Sequence, residues 1–323
     1  MISTKRKIHL LRIFDCSNSS ERPTNRNFGG PVQNEFVSLL HKHSENFGCE
    51  FVNDIGISDI VFTNDVYPNF VFEYNKPKIK RMDGVFWQSE FKDRNLKYNI
   101  AAKQSDHVIF ISEYSKNSYY KLYGDKLNSE SVVLHWVEKK FDYNNCNEFN
   151  GKFFSMATNW NRKEKRLNEV IKFAEMFPEC DIKLFGTCEE IVPSNVKCFG
   201  YIDSNSETFV ENIKDCCGFL NLTCKDAATK TVCTSINYRI PVLYSRSGGV
   251  SELVSTYGVS INEIDEIEFL EVAPELNEND IKIGYENFKL RYEELKTNIL
   301  EINPEQKLMN SLGKYFEMMK QFA

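Results

Sequence analysis

The sequence is short of several things, and each absence removes a class of function. No apolar run approaches the length needed to cross a membrane, and Met1 to Lys7 has no apolar export-signal core. The expectation is therefore a cytoplasmic protein without a transmembrane segment, leaving peripheral contact with a membrane open. There is no long block of lysine or arginine, and the net charge is −6 with a pI of about 5.6. Nucleic acid is not expected as a partner, because surfaces that bind it concentrate positive charge. The ten cysteines include no Cys-x-x-Cys pair, and Cys216 and Cys217 are adjacent. With no secretory signal they are expected as reduced thiols, with no zinc framework. Histidine is scarce, and His41 and His43, two apart on a probable helix, face different ways. No Asp-x-Asp occurs either, so neither a metal nor a cofactor is expected.

What is present is a soluble globular composition, 41% hydrophobic and 27% charged, over 323 residues, enough for two domains. Strand-like runs alternate with helical patterns. Strands are expected at Ile8 to Phe14, Asp59 to Thr63, Lys78 to Met82, Val108 to Ser112 and Ser131 to Val137. Helices are expected from Val32 to His43 and, capped by Ser112, on to Tyr123. An asparagine-rich linker follows, and the pattern restarts: strands at Phe153 to Ala157, Asp181 to Phe185, Val196 to Phe199, Gly218 to Leu222 and Val242 to Tyr244. Helices fall at Leu167 to Phe177, Glu207 to Cys216, Thr229 to Tyr238 and Val250 to Val254. A long charged helix is expected from Asp280 to Ile302, broken by Pro304, then a final amphipathic helix with Leu308, Leu312, Phe316 and Met319 on one face.

Such alternation in two blocks predicts an α/β protein of two parallel-sheet, Rossmann-like domains, with ligands beyond the carboxyl ends of the strands. The boundaries read as 1–140 for the first domain, 141–151 for the linker, 152–303 for the second domain, and 304–323 for a final helix.

Both halves carry a glycine pair ahead of a helix: Gly29-Gly30 and Gly248-Gly249. A strand running through glycines into a helix aims backbone N–H groups at one point, which suits an anion. Upstream of the second pair, the segment Asp226-Ala-Ala-Thr-Lys-Thr-Val-Cys-Thr-Ser-Ile-Asn-Tyr-Arg-Ile-Pro-Val, followed by Gly248-Gly249-Val-Ser-Glu252, resembles a known signature. It is similar to the donor-binding region of family 4 glycosyltransferases of the GT-B fold (glycosyl transferases group 1). There an acidic residue is followed after seven residues by a glutamate, a short helix, Pro-Val and a Gly-Gly-x-x-Glu turn. Asp226 takes the first acidic position, and Thr234 stands where the glutamate is usual. Ser105 to Lys116, Val133 to Phe141, Asn159 to Lys165 and Val196 to Tyr201 follow in the family's order.

The resemblance implies a GT-B fold with two Rossmann-like domains facing across a cleft, 1–140 taking the acceptor, 152–303 the donor, and the helix at 304–323 packing back on the first domain. It also implies a nucleoside diphosphate sugar as donor, a glycan or glycolipid hydroxyl as acceptor, and retaining transfer without metal. Asp226 would hold donor-sugar hydroxyls, with helix capping as its rival role. Lys165 and then Arg162 would neutralise the departing diphosphate, the family's usual arginine position falling on Trp160; a solvated surface charge is the rival. Phe199 and Gly200 would hold the base, Thr231 and Thr234 would line the donor, and Gly29, Gly30, Gly248 and Gly249 would let backbone approach it. Asp83 in Arg81-Met-Asp-Gly84 would orient the acceptor, with a turn aspartate as the alternative; Met82 stands where related enzymes often have histidine. Two other functions fit the same fold, a nucleotide-sugar epimerase and a nucleotide-sugar-binding protein with weakened turnover.

Overall fold

The computed structural model describes residues 10–17, 31–145, 147–263, 269 and 271–323. It divides into two compact units: 1–86, 90–135 and 308–323 form the first, and 87–89 with 136–307 the second.

The first unit is built on a six-stranded parallel sheet. Its strands are β1 (Leu11–Asp15), β2 (Cys49–Val52), β3 (Ile60–Thr63), β4 (Lys78–Met82), β5 (His107–Phe110) and β6 (Glu130–Val132), in the order β2-β1-β3-β4-β5-β6. The central strands β3 and β5 are buried at every residue, as a sheet covered on both faces requires. The main helices are α1 (Pro31–His43), α2 (Lys92–Lys103) and α3 (Glu113–Tyr123). Ser112 caps α3 as expected, its Oγ accepting from the Ser115 N–H at 2.9 Å. The expected strand over Ser131 to Val137 is shorter: its register with β5 ends at Val132, and beyond it the Val133 N–H donates to the Phe110 carbonyl at 2.8 Å.

The second unit repeats the plan. Strands β7 (Lys152–Asn159), β8 (Asp181–Thr187), β9 (Val196–Gly200), β10 (Gly218–Asn221), β11 (Val242–Ser245) and β12 (Gly258–Ile261) lie parallel in the order β12-β11-β10-β7-β8-β9. Helices α4 (Leu167–Met176), α5 (Glu207–Ile213), α6 (Lys230–Asn237) and α7 (Val250–Val254) connect them. Strand order reverses between β7 and β10, the switch point at which such sheets open a crevice for ligands. One face of the sheet is filled by Phe153, Phe173, Leu184, Leu220, Tyr285 and Phe288.

The expected long helix from Asp280 to Ile302 is two, α8 (Glu278–Leu290) and α9 (Tyr292–Leu300). Arg291 leaves the helical region between them (φ −95°, ψ 4°), and its guanidinium makes two hydrogen bonds to Glu294 at 3.0 and 2.9 Å. The last helix, α10 (Pro304–Lys320), packs in the first unit. Tyr315 meets Phe36 at 4.8 Å between ring centroids, Phe316 stacks on Phe47 at 5.1 Å, and the Ser311 hydroxyl donates to the Leu134 carbonyl at 2.8 Å.

Candidate donor site

Three loops at the carboxyl ends of β7, β10 and β11 carry the second unit's polar groups. After β7 the chain enters a 3-10 turn over Lys163–Lys165 and then α4. After β10 it runs through Lys225 and Asp226 to α6, and after β11 it turns at Gly248-Gly249 into α7. Hydrogen bonds from backbone N–H groups lock the loops together. The Cys224 N–H donates to the Glu164 carbonyl at 2.9 Å, the Lys225 N–H to the Ser247 hydroxyl at 2.8 Å, and the Gly249 N–H to the Asp226 carbonyl at 2.9 Å.

This arrangement brings Lys165 and Asp226 together: the ammonium donates to the carboxylate at 2.9 Å, with both side chains mostly sheltered. Gly248 adopts φ +79°, and a Cβ there would lie 2.2 Å from the Asp226 carbonyl oxygen and 2.8 Å from its nitrogen. Only a residue without a side chain lets the turn approach the acidic loop so closely. The short α7, five residues long, contributes little dipole, so the turn's backbone N–H groups carry any attraction for an anion. The position preceding α6 is held by Thr229, not Asp226.

The other expected residues fall elsewhere. Arg162 is half-exposed and pairs with Glu164, and Trp160 is buried with its indole N–H donating to the Phe185 carbonyl at 2.9 Å. Thr231 shares a hydrogen bond with the Thr229 hydroxyl at 2.9 Å. The buried Thr234 hydroxyl donates to the Lys230 carbonyl of its own helix at 3.2 Å. Phe199 and Gly200 close β9, with the Phe199 ring stacked on Phe185 at 5.2 Å and Lys197 Nζ 5.0 Å above it. Gly29 and Gly30 lie outside the described residues.

Sequence reasoning missed a buried ion pair behind Lys165. Arg166, held at φ +52°, reaches Glu263 at 2.8 Å and donates to the Ser245 hydroxyl at 3.2 Å; Ser245 also bonds Glu263. The arginine and glutamate side chains are only 2% and 9% exposed. The pair ties the β7 loop to the ends of β11 and β12, and the left-handed backbone at Arg166 marks a position where the surroundings override local preference.

In the first unit, β4 places two cations in the interior. Its alternation sends Lys80 to one face, 4.7 Å from the Tyr98 ring and donating to the Asp65 carbonyl at 2.5 Å. Arg81 goes to the other face, 4.4 Å from the Phe36 ring, and pairs with Asp83. Burial pushes Lys80 down to about 8 despite Asp65 and Asp83. Burial also works against the charge of Arg81, but Asp83 and Tyr315 outweigh it and raise its pKa. Asp83 is thereby fixed at the carboxyl end of β4, with its carboxylate about a third exposed.

No protein-family model and no curated protein sequence matches this chain. Its solved structural relatives are clear. HepE of Anabaena in complex with UDP superposes with a TM-score of 0.64 at 12% identity, covering 97% of this chain and 100% of that one. Sucrose-phosphate synthase of Thermosynechococcus elongatus gives 0.61 at 10% identity, over 82% of this chain and 73% of its own. The lipopolysaccharide outer core galactosyltransferase WaaB gives 0.60 at 11% identity, over 94% and 99%.

The chain has the GT-B fold. Both parallel sheets of that fold are present, and the loops described above lie at the strand ends where a doubly wound sheet takes its ligand. Among the described residues, no cluster of histidine, cysteine, aspartate and glutamate is arranged to hold a metal ion, and no helix is long and apolar enough to cross a membrane.

Proposed function

We propose that this protein is a glycosyltransferase that transfers a sugar from a nucleoside diphosphate donor to a hydroxyl acceptor on a glycan or glycolipid. The observation that carries this reading is the Lys165–Asp226 pair at 2.9 Å against the Gly248 turn, at the switch point of the second sheet. An ammonium has three N–H donors, so Lys165 can hold Asp226 and still donate to a diphosphate oxygen. As the glycosidic bond breaks, charge grows on the departing phosphate while the sugar becomes oxocarbenium-like; a fixed cation then stabilises the transition state more than the bound donor. In this reading Asp226 accepts from donor-sugar hydroxyls, and the Gly248-Gly249 backbone N–H groups bind the phosphates. In the retaining course proposed, the leaving diphosphate helps to deprotonate the acceptor, so neither a strong protein base nor a metal is required. The proposed setting is the cytoplasm.

Among structural relatives, HepE is described in complex with UDP and with UDP and glucose, which makes uracil the first base to test. The assay is release or transfer of sugar from UDP-, GDP-, ADP- and CMP-sugars, with Lys165→Ala and Asp226→Ala alongside. Turnover of one donor class, lost in both variants, supports the reading; equal rates in all three proteins would overturn it. A second reading, a nucleotide-sugar-binding protein with weakened turnover, is favoured by Thr234. Its hydroxyl is turned to the Lys230 carbonyl of its own helix and offers no second acceptor for a ribose. Nucleotide binding without turnover across the same panel would select it.

A further inference from the structure

Two adjacent residues, Trp87 and Gln88, reach both loops that carry the Lys165–Asp226 pair. Trp87–Ser89 belong to the second unit, although the residues on either side of them in the chain belong to the first. Trp87 is buried, with the Lys225 ammonium 4.8 Å over its ring and the Phe269 ring 6.3 Å away. The buried Gln88 donates from its side-chain amide to the Glu164 carboxylate, a charge-assisted hydrogen bond of the stronger kind. Lys225 precedes Asp226 and Glu164 precedes Lys165, so each contact falls one residue from a member of the pair. Lys225 is itself buried and held at φ +55°, a left-handed conformation that a lysine keeps only where its surroundings impose it. Its N–H is fixed by the Ser247 hydroxyl at 2.8 Å, and the electron-rich indole favours its desolvated ammonium. The Cys224 N–H already joins the two loops through the Glu164 carbonyl, and the side chains of one short segment join them again.

We propose that Trp87 and Gln88 are positioning residues of the donor site, setting where Lys165 and Asp226 stand during sugar transfer. The inference rests on the donor reading above and adds two residues to it. Trp87 acts through Lys225 on the loop of Asp226, and Gln88 through Glu164 on the loop of Lys165. A cation stabilises growing phosphate charge only if it already stands where that charge forms. A misplacement of about 1 Å is enough to slow a reaction about 100-fold. Loss of either contact therefore lowers turnover more than it weakens binding of the donor.

The test uses the full chain as wild type, Trp87→Leu, Trp87→Phe and Gln88→Glu, the last setting a second carboxylate against Glu164. With whichever of the UDP-, GDP- and ADP-sugars the wild type turns over, Trp87→Leu and Gln88→Glu should each lower kcat about 10–100-fold and change KM less than about threefold. Trp87→Phe keeps a ring for the ammonium and should recover most of that loss. Hydrogen exchange without nucleotide reads the loops directly. Peptides carrying the Cys224, Lys225 and Gly249 N–H groups should exchange faster in Trp87→Leu and Gln88→Glu than in the wild type. Unchanged exchange in both variants would overturn the proposal whatever the donor. So would a lowered urea midpoint with kcat per folded molecule unchanged, the mark of a merely structural role. A wild type that turns over none of these sugars overturns the donor reading itself, and the proposal with it, an outcome distinct from failure of the two residues.

Discussion

Replacing Gly248 with alanine should both destabilise the second unit and disturb nucleotide binding. At φ +79° an L-residue pays about 1–2 kcal/mol for the left-handed backbone, of which about 0.4–1 kcal/mol is returned by the stiffer unfolded chain. The added Cβ would also stand 2.2 Å from the Asp226 carbonyl oxygen and 2.8 Å from its nitrogen. Backbone atoms cannot rotate away as a side chain can, so the overpacking adds about 1–3 kcal/mol. The sum is roughly 2–4 kcal/mol, or an equivalent shift of the Asp226 loop that breaks the Lys165–Asp226 contact. Gly124 supplies the control: its φ is +64°, and nothing lies within 4 Å of the place a Cβ would take, so Gly124→Ala should lose only about 1 kcal/mol. Urea titrations followed by circular dichroism compare the two, and calorimetry with a nucleoside diphosphate reads the site. The reasoning is refuted if both variants unfold at the same midpoint and Gly248→Ala binds nucleotide like the wild type.

Lys165→Ala and Asp226→Asn should each lower turnover about 10²–10³-fold, the scale of losing one group that stabilises transition-state charge; donor-hydrolysis rates check it. Arg81→Ala should destabilise by about 3 kcal/mol or more, measured by urea unfolding, because it strands Asp83 beside the hole left by a buried cation. Lys80 predicts a pH effect: its folded pKa of about 8 lies below the ordinary lysine value near 10.5, so between these pH values the unfolded chain binds more protons. Wild-type stability relative to Lys80→Met should therefore rise from pH 8 to 10 by about 2 kcal/mol. A pH-independent difference would contradict that burial effect.

Much of the second unit was legible because its strands are short apolar runs and its helices carry clear apolar stripes, as in Leu167–Met176. Helix α2 was not, since two of its buried residues are asparagines. Asn95 exchanges hydrogen bonds with the Phe86 backbone at 2.9 and 2.7 Å, and Asn99 accepts from Tyr119 at 2.7 Å, so apolar spacing fails to mark the inward face. The edge strands β2 (Cys-Glu-Phe-Val) and β12 (Gly-Val-Ser-Ile) interrupt their apolar residues with a glutamate or a serine, so no continuous apolar run singles them out as it does β3 and β11. At the site, Lys165, Asp226 and the glycine turn lie in recognisable order along the chain. The Arg166–Glu263 pair does not: its members are 97 residues apart, and only the folded sheet brings the loops of β7 and β12 together.

The central claim is a nucleoside diphosphate site built on Lys165, Asp226 and Gly248. Isothermal titration of UDP, GDP, ADP and CDP into the wild type and Lys165→Ala tests it most directly. The account predicts saturable binding of one base class by the wild type, weakened at least about tenfold, or about 1.4 kcal/mol, by Lys165→Ala. Absence of binding by all four, or equal affinity of the two proteins for the nucleotide that binds, would contradict it.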